Sequence, residues 1–119
     1  MSQISRTLRR GTGAAGEFLS FWCPGCDHAH TVSIGQGGWG FNGDVHAPTF
    51  TPSVLVTWPA NPNASEEFAE WRTERRCHSF VTAGAIQFLT DSTHSLAGQT
   101  VPIPDWPRPE WGGSEPATN

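Results

Sequence analysis

Arg76-Cys77-His78-Ser79-Phe80-Val81-Thr82-Ala83-Gly84-Ala85-Ile86-Gln87-Phe88-Leu89-Thr90-Asp91 decides the fold. Two runs of alternating character, Arg76 to Thr82 and Ala85 to Asp91, are split by Ala83-Gly84, which reads as a β-hairpin with a two-residue turn. With such a turn, Val81 faces Ile86, Ser79 faces Phe88 and Cys77 faces Thr90. The two-residue period of a strand then places these six side chains on one face. If the strand continues, Ser92 and His94 join that face, while His78, Gln87, Leu89 and Asp91 point to the other side.

Upstream, Ser53 to Trp58 alternates as a strand. Pro48 and Pro52 bracket Thr49-Phe50-Thr51, and because each proline removes a ladder donor, this stretch is expected to be an edge strand or an extended loop. Trp39-Gly40-Phe41 runs into Asn42-Gly43, a type I′ turn signal followed by Asp44-Val45, which predicts a tight hairpin. Phe18 to Trp22 and Thr31 to Ile34 form a further pair around Pro24-Gly25. Ser65 offers an N-cap to a short helix with Glu66 and Glu67 in its first turn and Phe68 and Trp71 as its buried stripe. The expected fold is therefore mainly β: antiparallel hairpins near 18–34, 39–58 and 76–91, resembling an elaborated zinc ribbon, with one short helix near 65–74.

Residues 1–16 carry Arg6, Arg9 and Arg10, no acid and no apolar period, and read as a flexible arm. Residues 17–104 form the expected domain. Residues 105–119 bear proline and tryptophan without periodicity and read as an irregular tail. Beyond the arm, four arginines face eleven acids, a balance that repels phosphate backbones. Nucleic acid is thus an expected partner only through Arg6, Arg9 and Arg10. No apolar h-region or run of about 18 apolar residues is present, so neither a signal peptide nor a membrane span is expected.

Three cysteines are an odd number for a disulfide framework, which points to a reducing, cytoplasmic setting. Cys23-Pro24-Gly25-Cys26 is a knuckle whose tight turn aims two thiolates at one point, as zinc requires. Zinc needs four donors. The hairpin register nominates Cys77 and His94 to join Cys23 and Cys26, with His78, and His28 or His30 folding back from just past the knuckle, as the competing fourth ligands. A second cluster, Trp39, Asn42, Asp44, His78 and Asp91, comprises the candidates for a ligand pocket beside the metal. Within it His78, Asp44 and Asp91 are the candidates for acid–base work.

In combination, Cys23-Pro24-Gly25-Cys26 with His30, Trp39 to Asp44, Pro48 to Ser53, Cys77-His78-Ser79-Phe80, Asp91, Thr93-His94 and Leu96-Ala97-Gly98 resemble a family of short bacteriophage and prophage proteins of unknown function. Its members are often mislabelled ammonia monooxygenase, an enzyme that is membrane-embedded. The family commonly has cysteine where this chain has Ser92, on the face assigned to the metal. The resemblance implies a zinc-stabilised accessory protein of a bacterial host cell that binds a host or virion protein, without catalysis of its own. The alternative is a small zinc-dependent hydrolase in which water takes an open metal position.

Overall fold

The computed structural model describes residues 2–14, 16–35 and 37–107. Among the described residues, nine strands make two antiparallel sheets. The first has the order β1 (Ser2–Gln3), β2 (Leu8–Gly13), β3 (Gly16–Cys23), β4 (His28–Ser33). The second runs β5 (Gly40–Phe41), β6 (Phe50–Trp58), β7 (Arg75–Thr82), β8 (Ala85–Phe88), β9 (Thr100–Pro102). Their inner faces share one core, with Leu8, Leu19, Phe21 and Val32 from the first sheet against Phe50, Val54, Val81, Ile86 and Phe88 from the second. Phe21 stacks on Phe50 across the gap, ring centroids 6.2 Å apart. Mainly β, antiparallel architecture is thus as the alternation predicts.

The late hairpin has the predicted register: Val81 pairs with Ile86 and Ser79 with Phe88. Its turn works because Ala83 and Gly84 both take positive φ (49° and 82°), the mirror-image geometry that matches strand twist. Alternation follows, with Cys77, Ser79 and Val81 buried and Phe80 and Thr82 exposed. The residue between the first two, His78, is half-buried on the outer face.

Five expectations are corrected. Residues 2–13 are not a flexible arm, because they supply β1 and β2 and the fully buried Leu8. Periodicity hid this, since the segment is held by polar contacts. The buried Arg9 guanidinium donates to the carbonyls of Ser5 and Leu8 and lies 4.8 Å from the Trp106 ring. Arg6 pairs with Asp105 and Arg10 with Glu17. In the tail, Trp106 is buried, packs on Trp22 and donates to the Thr7 carbonyl, so order extends past residue 104. The rest of the expected irregular tail, residues 108–119, lies outside the described residues.

Asn42-Gly43 does not close a two-residue hairpin. Phe41 pairs with Phe50, and the intervening loop is stapled by Asn42, which receives the Asp44 N–H, and by Asp44, which receives those of His46 and Ala47. Thr49 to Thr51 is no edge, because β6 lies between β5 and β7. Pro52 is tolerated there because the ladder is broken by a bulge between Phe50 and Val54. The helix is a 3-10 segment, Glu66–Arg72, interrupted at Phe68. Phe68 is exposed rather than part of a buried stripe, while Trp71 packs edge-on against Trp58.

Replacing Trp106 with alanine should lower unfolding free energy by about 3 kcal/mol, the scale of a buried aromatic lost to a cavity. Urea denaturation checks this. An unchanged midpoint would show that the tail merely rests on the first sheet.

Candidate functional site

Strand β7 carries two adjacent residues that belong to two different centres. Successive side chains alternate across a strand, so Cys77 points between the sheets while His78 points outward.

On the inner face, donor atoms of Cys23, Cys26, His30 and Cys77 all lie within 4.8 Å of one another. Cys23 ends β3 and pairs with His28. Two residues earlier Phe21 pairs with His30, so the register of the first hairpin puts Cys23 and His30 on the same inward face. Cys26 comes from the knuckle and Cys77 from the other sheet. The three cysteines are free thiols, with Cys23 and Cys77 sulfurs 3.8 Å apart, well beyond a bond.

The chemistry of this set fits a metal ion. His30 Nε2 is buried with no hydrogen-bond partner, a cost that a cation would remove. Hydrogen bonds from Cys26 and Cys77 hold the Cys23 thiol far below its usual pKa. The Cys26 thiol is pushed up to about 12 by its hydrogen bond to Cys23, and the hydrogen bonds of Cys77 to Cys23 and Cys26 push its thiol well above the ordinary range. Protons alone therefore stabilise one thiolate at the expense of two; a divalent cation stabilises all three.

His94, preferred on sequence as fourth ligand, lies beside this cluster instead. Its Nε2 is 3.4 Å from Cys77 Sγ, and its Nδ1 accepts the Leu96 N–H at 3.2 Å. A neutral imidazole accepting at Nδ1 must carry its proton on Nε2, so His94 donates to the Cys77 sulfur. Burial favours that neutral form by lowering its pKa. The ring packs against Gly25, where a Cβ would lie 2.3 Å from His94 Cε1, so glycine in the knuckle makes room for this contact. Ser92, also on the face assigned to the metal, is buried but bonds elsewhere. Its Oγ accepts the His78 N–H at 3.0 Å and donates to the His78 carbonyl at 3.1 Å.

On the outer face, His78 Nε2 lies 3.0 Å from Ser53 Oγ and His78 Nδ1 lies 3.1 Å from Asp91 Oδ2. Ser53 sits in the β6 bulge, which re-aims it toward β7, and the Trp39 indole N–H fixes its backbone by donating to the Ser53 carbonyl at 3.1 Å. Leu89 N–H donates to the His78 carbonyl, and Thr93 pairs with Arg76 through backbone and hydroxyl, so the segment carrying Asp91 is laced to β7. Of the candidate pocket residues, His78, Asp91 and Trp39 converge here, whereas Asn42 and Asp44 are engaged in their own loop. Ser53 was not among the candidates.

A serine hydroxyl bonded to an imidazole whose other nitrogen meets a carboxylate is the arrangement of a serine hydrolase. Residues 2–89 match the profile of a family described as "Bacterial ubiquitination-like system serine protease (BubE)". The chain belongs to the BubE family. Ser53 and His78 fall inside the matched span, and Asp91 lies just beyond it. No curated protein and no solved structure matches the chain.

Membership of the BubE family overturns the expectation of a non-enzymatic accessory protein that merely binds a host or virion protein. The alternative, a zinc hydrolase with an open metal position, differs from the serine protease that the family description names, and the cluster offers four protein donors rather than three. No helix among the described residues is long and apolar enough to cross a membrane.

Cobalt-substituted protein should show the absorption of three thiolate ligands, both in the parent and in His94→Ala. His94→Ala should weaken metal binding about 10- to 100-fold, the usual effect of losing an outer partner of a ligand. His30→Ala should change the coordination spectrum itself. A spectrum altered by His94→Ala and untouched by His30→Ala would reverse their assignment.

Proposed function

We propose that this protein is a serine protease in which Ser53 is the nucleophile, His78 the general base and acid, and Asp91 the group that orients His78. The observation that carries this reading is the continuous hydrogen-bonded chain from Ser53 Oγ through both nitrogens of His78 to Asp91. With Nδ1–H donated to Asp91, Nε2 presents its lone pair to the serine hydroxyl, the tautomer needed for a base.

The reaction runs in two balanced halves. Ser53 Oγ forms a bond to the scissile carbonyl carbon as His78 Nε2 takes the hydroxyl proton. When the C–N bond breaks, the same proton passes to the leaving amine and an acyl-serine ester remains. Water then attacks that ester, giving its proton to His78, which returns it to Ser53 Oγ as the acid product departs. Throughout, the Asp91 carboxylate balances the transient imidazolium, and the two Ser92 hydrogen bonds hold the His78 backbone against displacement.

The family description names a ubiquitination-like system, so the natural substrate in this reading is an amide bond at the C-terminus of a ubiquitin-like modifier. The bond is either to a trailing peptide or to the protein that carries the modifier. The second centre is read as a structural zinc site, because three thiolates and one imidazole in a closed set suit tetrahedral zinc. When bound, the ion supplies a cross-link and charge balance for the thiolates. It takes no part in the hydrolysis.

A fluorophosphonate probe should modify Ser53, with Ser53→Ala unlabelled, and Asp91→Asn should lower the labelling rate by about 10⁴-fold through loss of the correct tautomer. Mass spectrometry of the labelled peptide reads both. Labelling retained in Ser53→Ala at the parental rate would overturn the assignment of the nucleophile.

A further inference from the structure

The large apolar side chains exposed among the described residues are Leu55, Phe68 and Phe80. Phe68 belongs to the 3-10 segment, but the other two bracket the proposed catalytic pair. Leu55 pairs directly with His78 across the β6–β7 ladder, so the two share the outer face. It also follows Ser53 by two positions, the same-face spacing along a strand. Phe80 follows His78 by two positions on β7 and lies opposite the bulge that holds Ser53. The outer face thus carries a tile of four: Ser53 and His78 on one diagonal, joined by their hydrogen bond, and Leu55 and Phe80 on the other. Leu55 is 53% exposed and Phe80 43%, so this apolar diagonal is open to solvent on the side from which substrate must reach Ser53 Oγ.

We infer that Leu55 and Phe80 are specificity-determining contacts that bind apolar side chains carried by an extended substrate within three residues before the scissile bond. This rests on the serine-protease reading above. Same-face neighbours lie about 5–7 Å apart across and along a sheet, while an extended peptide advances about 3.3 Å per residue. Substrate side chains two and three residues from the reacting carbonyl therefore reach the tile when the carbonyl sits on Ser53. The occupant is a polypeptide rather than a second copy of the sheet, because the apolar area is divided by the catalytic hydrogen bond. A partner that covers it must lay backbone across Ser53. Charged side chains would lose hydration against Leu55 and Phe80 without gaining a partner. Arg76 and Asp91, at the far end of this face, are already paired with Glu74 and His78.

Two tetrapeptidyl diphenyl phosphonates test this, both with glycine at the reacting position and with either leucines or serines at the three positions before it. The leucine probe should modify Ser53 of the parent protein about tenfold faster than the serine probe, a factor that burial of one apolar side chain readily supplies. That preference should shrink in Leu55→Ser and in Phe80→Ser and vanish in the double variant. Thermal melting and bound-metal content establish that the variants are folded; if the double variant is not, the two single variants decide. Equal rates in the parent, or a preference kept in the folded variants, would overturn the inference while leaving the nucleophile assignment intact. Absence of modification at Ser53 by either phosphonate and by the fluorophosphonate would instead overturn the protease reading, and this inference with it.

Discussion

The whole arrangement depends on the two-residue period of β7. Because Cys77 and His78 are neighbours on an extended strand, they must face opposite ways, one into the cluster of Cys23, Cys26 and His30, the other toward Ser53 and Asp91. A displacement of β7 by one residue would exchange them and destroy both centres at once. The strand is correspondingly well held, paired on both sides by β6 and β8 and continued by the bonds of Ser92 and Thr93 to His78 and Arg76.

The candidate metal-binding set spans the two sheets: three donors come from the first and its knuckle, and the fourth, Cys77, from the second. A chain of this size buries a modest core, and a structural metal contributes about 10–16 kcal/mol of apparent binding free energy in small peptides, on the scale of an entire domain's stability. A metal ion held by this set would cross-link the two sheets and with them the strand that presents His78. On the proposed reading, the four donors and the Ser53–His78–Asp91 chain lie on opposite faces of β7, so an ion bound by the first would not touch the second. His94 packs edge-on against Phe88 and over Gly25, with its Nε2 3.4 Å from Cys77 Sγ at the border of the inner centre.

Much of this was legible in the sequence. Ala83-Gly84 dictates the turn, the turn dictates the register, and the register separates Cys77, Ser92 and His94 from His78 and Asp91. Extending the same reasoning to the first hairpin puts His28, opposite Cys23, and His30, opposite Phe21, on the face that Cys23 occupies; of the two only His30 is buried there. Ser53 escaped because serine is common and alternation says nothing about a bulge. Pro52 inside a central strand was the signal, since a proline there requires the ladder to break. The N-terminal strands escaped for a different reason: Arg9 is buried through hydrogen bonds and a tryptophan supplied nearly a hundred residues later, a pairing that hydrophobic periodicity does not encode.

On the proposed reading, the inner centre holds β7 in the register that makes Ser53 reactive. The most direct test is the rate of fluorophosphonate modification of Ser53 measured on one sample as metal is stripped by chelator and then restored with zinc. The rate should fall with metal content and return with zinc, while magnesium restores nothing. Fully stripped protein that reacts at the undiminished rate would show that Ser53 does not depend on the inner centre.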